Sequence, residues 1–182
     1  MRNIDAARAE RELEIAKGKN PGPWIDHSRH VGLAAKYIAQ ACKNLDSEKA
    51  YICGLLHDIG RRNGVSALKH TIDGYDYAMS QGWEEVARIC LTHSFPVKDI
   101  DADIAKRDVR EDQLLFMKKF LEQVEYDAYD KLIILCDSRR YGVHPFTVKR
   151  WEQTYAYKAY FEQMAGCSLY RLLPNIEACI YR

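Results

Sequence analysis

Apolar residues recur at helical spacing along almost the whole chain, and no segment alternates in the way that a half-buried strand requires. The clearest example lies between residues 24 and 42, where one face carries Val31, Ala34, Ala35, Ile38 and Ala39. A helix with one apolar face must bury that face against other helices. The pattern therefore predicts an all-α fold, which we expect to be a single bundle of about six or seven helices.

Proline, glycine and capping residues mark where the predicted helices begin and end. The segment 20–23 breaks a charged first helix, Asp46 or Ser47 can cap the third, and Gly82 separates two later pieces. The polar stretch 95–110 is predicted to be a loop or lid. The 182 residues suit one domain, 1–182, with a core of about 24–140 and a helical extension of about 141–182. The predicted helices span about 3–17, 24–42, 47–60, 66–81, 84–94, 111–125, 127–139 and 147–165, with a short one after Pro174.

The charge balance and the cysteine content of the chain indicate which classes of protein it does not belong to. The chain has 27 Lys and Arg against 26 Asp and Glu, which argues against general nucleic-acid binding. A small phosphorylated ligand held by a few arginines stays compatible with this balance. We find no apolar run long enough to span a bilayer and no signal peptide, so we expect a cytoplasmic protein that does not enter membranes. Six cysteines without a CxxC pair indicate buried, reduced thiols.

The pair His57-Asp58 lies at the predicted end of an apolar helix that we expect Gly60 to close. A helix C-terminus carries partial negative charge, so a partly buried Asp58 is destabilised by both desolvation and the helix dipole. A divalent cation would reverse both effects. The alternative is that Asp58 is exposed, or is paired with Arg61 or Arg62.

Two further residues raise the same question about buried polar groups. Asp137 follows the apolar run 132–136 and must meet either a cation or several donors, which Arg139 or Arg140 could supply instead of a metal. His27 opens the second helix, where a lone histidine is more often an ordinary core or surface residue. Taken together, the histidines and aspartates form a mixed nitrogen and oxygen ligand set. This set suits iron, manganese or zinc better than magnesium or calcium.

Three segments, taken in order, resemble the HD-domain phosphohydrolase superfamily in its HDIG form: His27-Ser28-Arg29-His30-Val31-Gly32, Gly54-Leu55-Leu56-His57-Asp58-Ile59-Gly60 and Leu135-Cys136-Asp137. The family pattern is a His followed by Ser or Thr, with Val four residues after that His, then His-Asp and a distant Asp. The resemblance covers roughly residues 24–140 and implies an all-helical fold. It also implies a metal bound by His27, His57, Asp58 and Asp137. We carry no ligand role to His30.

His70, which opens a predicted helix, and His93, which closes the next one, look like the additional histidines of the two-metal HD enzymes. By that resemblance Asp58 would bridge two ions, with His70 and His93 on the second. The alternative is that both histidines only contact substrate or cap helices. His144, beside Pro145, is interpreted as an ordinary loop histidine.

The resemblance implies hydrolysis of a phosphate ester or anhydride in a small, nucleotide-like substrate through a metal-activated water. We expect one or two ions of Fe, Mn, Zn, Co or Ni, with Mg less suited, and assign catalytic roles to Asp58 and His57. The cations nearest to ligand positions are candidate phosphate-binding residues: Arg61, Arg62, Lys69, Arg139 and Arg140. The alternative function is a metal-stabilised nucleotide-binding or interaction module with little turnover. Aromatic residues near the C-terminus could form the contact surface of such a module, but we expect them to pack on the bundle and to support homodimer contacts: Trp151, Tyr155, Tyr157, Tyr160 and Phe161.

Overall fold

The computed structural model describes residues 4–102, 106–138 and 148–169, and all regular structure in these ranges is helical. The all-α prediction is confirmed, although the described residues form eight α-helices, more than the six or seven expected. Two short 3₁₀ helices, Ile59–Asn63 and Ile100–Ala102, lie between them. The α-helices are α1 (Ala6–Lys19), α2 (Trp24–Ala41), α3 (Ser47–Leu56), α4 (Lys69–Gln81), α5 (Glu84–Thr92), α6 (Glu111–Gln123), α7 (Ala128–Ser138) and α8 (Val148–Ala165).

Most helix ends follow the local signals in the sequence. The Asp5 carboxylate accepts a hydrogen bond from the backbone of Arg8 at the start of α1. Asp46, one of the two predicted caps, does the same for α3. Helix α4 ends at Gly82, which adopts the left-handed conformation with φ 78°.

The third helix ends earlier than predicted, at Leu56 rather than Gly60. The chain turns at His57 and Asp58 and continues as the 3₁₀ helix Ile59–Asn63. Gly60 is therefore not a helix cap, and its role is close packing. A Cβ atom on Gly60 would lie 2.0 Å from the carbonyl oxygen of His70 and 2.5 Å from the amide nitrogen of Gly74. Only glycine allows the 3₁₀ helix to contact the backbone of α4 in this way.

A second close approach joins α2 to α3. A Cβ atom on Gly54 would lie 2.7 Å from the Cα atom of Gly32, so the two helices touch backbone to backbone. Because Gly32 follows His27 on α2 and Gly54 precedes His57 at the end of α3, this contact brings the two histidines side by side.

Three groups of buried side chains form the core around these helix pairs. The first joins α2, α3, α5, α7 and α8, and includes Ile38 and Ile134. The second lies beneath α1 and includes Leu13 and Leu56. The third packs α4 and α5 against α6 and includes Met117. All the described cysteines are free thiols, and four of them are buried, as the sequence predicted: Cys42, Cys53, Cys90 and Cys136.

Four of the C-terminal aromatic residues divide into two sets, and the side chain of Trp151 lies outside the described part of the structure. Tyr157 and Phe161 are buried in the first core, whereas Tyr155 and Tyr160 are exposed. In the part of the chain that the structure describes, we find no helix that is both long and apolar enough to cross a bilayer. The predicted short helix after Pro174 and the loop histidine His144 lie outside the described residues.

Candidate metal centre

Six side chains from separate parts of the sequence meet in the interior of the bundle. They come from α2, the turn after α3, the first turn of α4, the end of α5 and the last turns of α7. Five of them are buried, and the sixth, Asp137, keeps 19% of its side chain exposed. All six were predicted as ligands: His27, His57, Asp58, His70, His93 and Asp137.

One half of the cluster forms around Asp137. Its Oδ1 lies 2.8 Å from Nε2 of His27 and 3.7 Å from Nε2 of His57. Nε2 of His57 also lies 3.8 Å from Oδ2 of Asp58. His27, His57 and Asp58 each offer a ligand atom within 4.8 Å of the other two. The same is true of His57, His93 and Asp137.

The other half forms around Asp58. Its Oδ1 lies 3.2 Å from Nε2 of His70 and 3.6 Å from Nε2 of His93. The two histidine Nε2 atoms are 3.2 Å apart. Asp58 thus contacts histidines in both halves, with one carboxylate oxygen turned to each side.

The tautomer of three histidines follows from their backbone contacts. Nδ1 of His57 lies 2.7 Å from the carbonyl oxygen of Gly54, and Nδ1 of His93 lies 3.2 Å from that of Ile89. Nδ1 of His70 contacts the carbonyl oxygen of Ala67. Since a carbonyl oxygen only accepts, each Nδ1 carries the proton in the neutral ring. Each Nε2 lone pair is therefore directed into the cluster, which is how metal-binding histidines are oriented.

Two buried atoms of the cluster have no hydrogen-bond partner among the described residues, namely Nε2 of His57 and Oδ1 of Asp58. Leaving a buried polar atom unpaired costs about 1–3 kcal/mol. In addition, the Nε2 lone pairs of His70 and His93 face each other at 3.2 Å. Cations bound within the two halves of the cluster would satisfy all four groups, so the donor set fits divalent metal ions.

The protonation states of the histidines differ across the cluster. Burial lowers the pKa of His93 to about 3, and burial also lowers the pKa of His70. For His57, burial acts in the same direction, but the carboxylates of Asp58 and Asp137 outweigh it and raise its pKa. The half formed around Asp58 therefore holds neutral imidazoles, which are the form that binds metal.

Both carboxylates are ionised. Burial would raise the pKa of Asp58, but His57, His70 and the nearby Arg61 outweigh it and lower that pKa. Burial would likewise raise the pKa of Asp137. Its contacts with His27 and His57 outweigh burial and hold that pKa well below the usual range. The cluster therefore offers two anionic carboxylates together with the Nε2 lone pairs of the neutral His70 and His93.

The alternative in which Asp58 pairs with Arg61 applies to one of the two carboxylate oxygens. Nε of Arg61 donates to Oδ2 of Asp58 at 2.6 Å, and its Nη1 donates to the carbonyl oxygen of Ser66 at 3.3 Å. Oδ1 of Asp58, in contrast, faces His70 and His93. Arg61 thus fixes the orientation of the carboxylate and stands at the edge of the cluster.

The other predicted phosphate-binding residues have different surroundings. Arg62 is 8% exposed, with its guanidinium 3.8 Å from the ring centroid of Tyr77 and 3.9 Å from a carboxylate oxygen of Glu12. Nζ of Lys69 lies 3.2 Å from Asp73. Arg139 and Arg140 lie outside the described residues.

Sequence reasoning missed two aspartates that support the ligand helices. The Asp108 carboxylate accepts hydrogen bonds from the backbone amides of Ala67 and Lys69, both at 2.8 Å, and so fixes the start of α4 beside His70. Asp130 is fully buried in α7 and accepts a hydrogen bond from Thr92, the residue before His93. Each aspartate acts on a residue distant in sequence, so no local motif marks it.

A separate cavity of about 310 Å³ lies at the N-terminal ends of α1, α3 and α5. None of the six clustered residues lines it. Its walls carry carboxylates, such as Asp46 and Glu84, that cap or flank these helix ends. It therefore forms no part of the candidate metal centre.

Comparison with known families agrees with the geometry. The model of the HD domain family matches residues 24–138, which is more than half of the chain and includes all six clustered residues. Searches of curated proteins and of solved structures each found no significant match. The family match confirms the resemblance that the three sequence motifs indicated.

Proposed function

The chain belongs to the HD domain family, and on this premise we propose that it is a phosphohydrolase that uses two divalent metal ions. HD domains indicate metal-dependent hydrolases, and the buried histidine and aspartate cluster is compatible with metal binding. The observation that carries the proposal is the pair of unpartnered buried atoms, Nε2 of His57 and Oδ1 of Asp58. Without a cation, these two buried atoms would lower the stability of the fold, because neither has a hydrogen-bond partner among the described residues.

Under this proposal His27, His57, Asp58 and Asp137 hold the first ion. Asp58, His70 and His93 hold the second. Imidazole and carboxylate ligands together suit Fe, Mn, Zn, Co or Ni better than Mg, which prefers oxygen ligands and keeps several waters. When bound, such ions lower the pKa of a water molecule and polarise a phosphoryl oxygen.

The protein's own side chains would orient the reactants. Arg61 holds one oxygen of Asp58 at 2.6 Å, which fixes the carboxylate between the two halves of the cluster. Lys69, one residue before His70 and 44% exposed at its side chain, would be the candidate to bind a substrate phosphate in exchange for its present partner Asp73. We leave Arg62 out of this role, because its side chain is buried, with the guanidinium over the ring of Tyr77 and 3.9 Å from a carboxylate oxygen of Glu12.

We further propose that the substrate is small and phosphorylated, with a nucleotide as the leading class. The near-zero net charge supports a small ligand over a nucleic-acid strand. The reaction would be hydrolysis of a phosphate ester or anhydride.

The test compares wild type with His57→Ala and Asp58→Ala, each reconstituted with Mn, Fe, Co or Mg under anaerobic conditions. Metal content is measured by elemental analysis, and turnover is followed on a generic phosphate ester and a nucleotide panel. We expect loss of metal and activity in both variants with helicity retained. His30→Ala is the matched control, because His30 lies on α2 three residues after His27 but has no ligand role here.

Full metal occupancy in both variants would refute the site. Wild-type protein that binds metal but hydrolyses nothing on the panel would favour the alternative function, a metal-stabilised nucleotide-binding or interaction module.

A further inference from the structure

His93 lies in a short segment that α7, α8 and the loop before α7 hold at three successive points. The hydroxyl of Thr92 donates to Oδ1 of Asp130 at 2.7 Å. The hydroxyl of Tyr126 donates to the carbonyl oxygen of Phe95 at 2.7 Å, and that of Tyr157 donates to the carbonyl oxygen of Pro96 at 3.2 Å. The bond to Thr92 is the closest of the three to His93.

The acceptor in this bond is unusual for its position. Asp130 is fully buried in the first turn of α7, where burial raises its pKa to about 6. Its second oxygen accepts from the backbone amide of Asp127 at 2.9 Å, and Arg88 lies 3.3 Å from the same oxygen. A buried carboxylate is costly to keep, and this one joins the start of α7 to the end of α5.

The position of α5 relative to α7 determines the geometry of the cluster. Thr92 is the last residue of α5, and His93 follows it directly. On α7, Asp137 lies seven residues after Asp130, about two helical turns or ~10 Å along a rigid helix. The distance from His93 to Asp137 therefore depends on how the end of α5 is attached near Asp130.

We propose that Asp130 and Thr92 are positioning residues, whose hydrogen bond holds the end of α5 so that Nε2 of His93 faces Asp58 and Asp137. They touch neither ion nor substrate and act through His93. This inference rests on the proposed metal-binding function. Residues that orient a ligand in this indirect way typically change metal affinity by about 10–100-fold when they are mutated.

The test is a titration of the metal-free chain with Co²⁺, followed by the visible absorption of the bound ion. Thr92→Val keeps the shape of the side chain and removes the hydroxyl, whereas Thr92→Ser keeps the hydroxyl. We expect Thr92→Val to weaken one of the two cobalt sites, the one that holds His93, about tenfold or more and to change the visible spectrum. Thr92→Ser should restore both. The pair Thr92→Ala and Thr92→Ser repeats the comparison at smaller volume if valine disturbs folding.

Tyr77→Phe is the matched control, because the Tyr77 hydroxyl also donates to a carboxylate, that of Glu12, in another part of the bundle. It should lower the free energy of unfolding without changing cobalt affinity. Cobalt affinity and spectrum of Thr92→Val equal to those of wild type would overturn the inference. An equal loss of affinity in Thr92→Ser or Tyr77→Phe would also overturn it. A wild-type chain that binds no cobalt would instead refute the proposed function itself.

Discussion

Gly60→Ala tests whether the close contact between the 3₁₀ helix and α4 builds the second half of the metal cluster. The added Cβ would lie 2.0 Å from the carbonyl oxygen of His70 and 2.5 Å from the amide nitrogen of Gly74. Both are backbone atoms within α4, so no flexible side chain can move aside to make room. The substitution must therefore displace the 3₁₀ helix from α4.

The size of that displacement follows from the contact distances. An ordinary contact needs at least 3.4 Å, so the Gly60 to His70 contact must lengthen by about 1.4 Å. Asp58 and His70 lie on the two sides of this contact, with 3.2 Å between Oδ1 and Nε2. Metal–ligand distances tolerate deviations of about 0.2 Å, so a shift of this size should remove the second ion. Overpacking typically costs about 1–3 kcal/mol, and we expect the upper end here.

The assay measures urea unfolding in chelator and metal content after reconstitution. Gly60→Ala should unfold at a lower urea concentration and take up at most one ion per chain. Gly18→Ala is the matched control, because Gly18 lies in α1 and a Cβ there would meet nothing within 4 Å. That control should raise the free energy of unfolding by about 0.5–1 kcal/mol, since alanine favours helix over glycine.

Two results would refute this reasoning. One is a Gly60→Ala protein with the stability and the metal content of wild type. The other is a protein that loses stability but still binds two ions with wild-type affinity. The second result would show that α4 can shift without moving His70 from Asp58.

Two further predictions concern Asp108, which supports the start of α4, and Asp137, which belongs to the cluster. Burial would raise the pKa of Asp108, but hydrogen bonds from the amides of Ala67 and Lys69 lower it. The ionised Asp108 therefore stabilises the fold above about pH 4, and this stabilisation is lost as the pH falls further. Asp108→Asn should cost about 1–3 kcal/mol at pH 7 and show a shallower loss of stability below pH 4, measured by urea unfolding at several pH values. Asp137→Asn keeps an acceptor for His27, so in chelator it should cost less than about 1.5 kcal/mol while metal affinity falls sharply. A loss of about 3 kcal/mol or more with unchanged metal affinity would assign Asp137 to a structural salt bridge instead.

The helical fold could be predicted because it depends on residue patterns within short segments. The candidate ligands could be predicted because they depend on residue types that occur in a recognisable order along the chain. The apolar face of α2 predicts its burial, and Asp46 and Gly82 mark helix ends through the conformations that they favour. Histidine and aspartate in apolar surroundings are uncommon without a partner. The order of these residues along the chain therefore indicates a shared buried site.

Contacts between distant residues could not be predicted in the same way. Gly60 looks like a helix terminator in the sequence, whereas its structural role depends on His70 and Gly74 in the next helix. The early end of α3 at Leu56 has the same origin, since the chain must turn for the 3₁₀ helix to reach α4. Asp108 lies in a polar segment interpreted as a loop or lid, and only the fold shows that it holds the start of α4.

The helix ends themselves explain why this cluster suits a cation. The last carbonyl groups of a helix lack partners within the helix and carry partial negative charge. His57 uses such a group at the end of α3, where its Nδ1–H donates to the carbonyl oxygen of Gly54. Nδ1–H of His93 donates to the carbonyl oxygen of Ile89, which also accepts from the backbone amide of His93. Each bond fixes a ring so that its Nε2 points inward, and Asp58 comes two residues after the last residue of α3, next to the negative end of that helix. These backbone contacts therefore orient the two rings, and a bound cation would offset the negative charge of Asp58, whose Oδ1 has no hydrogen-bond partner among the described residues.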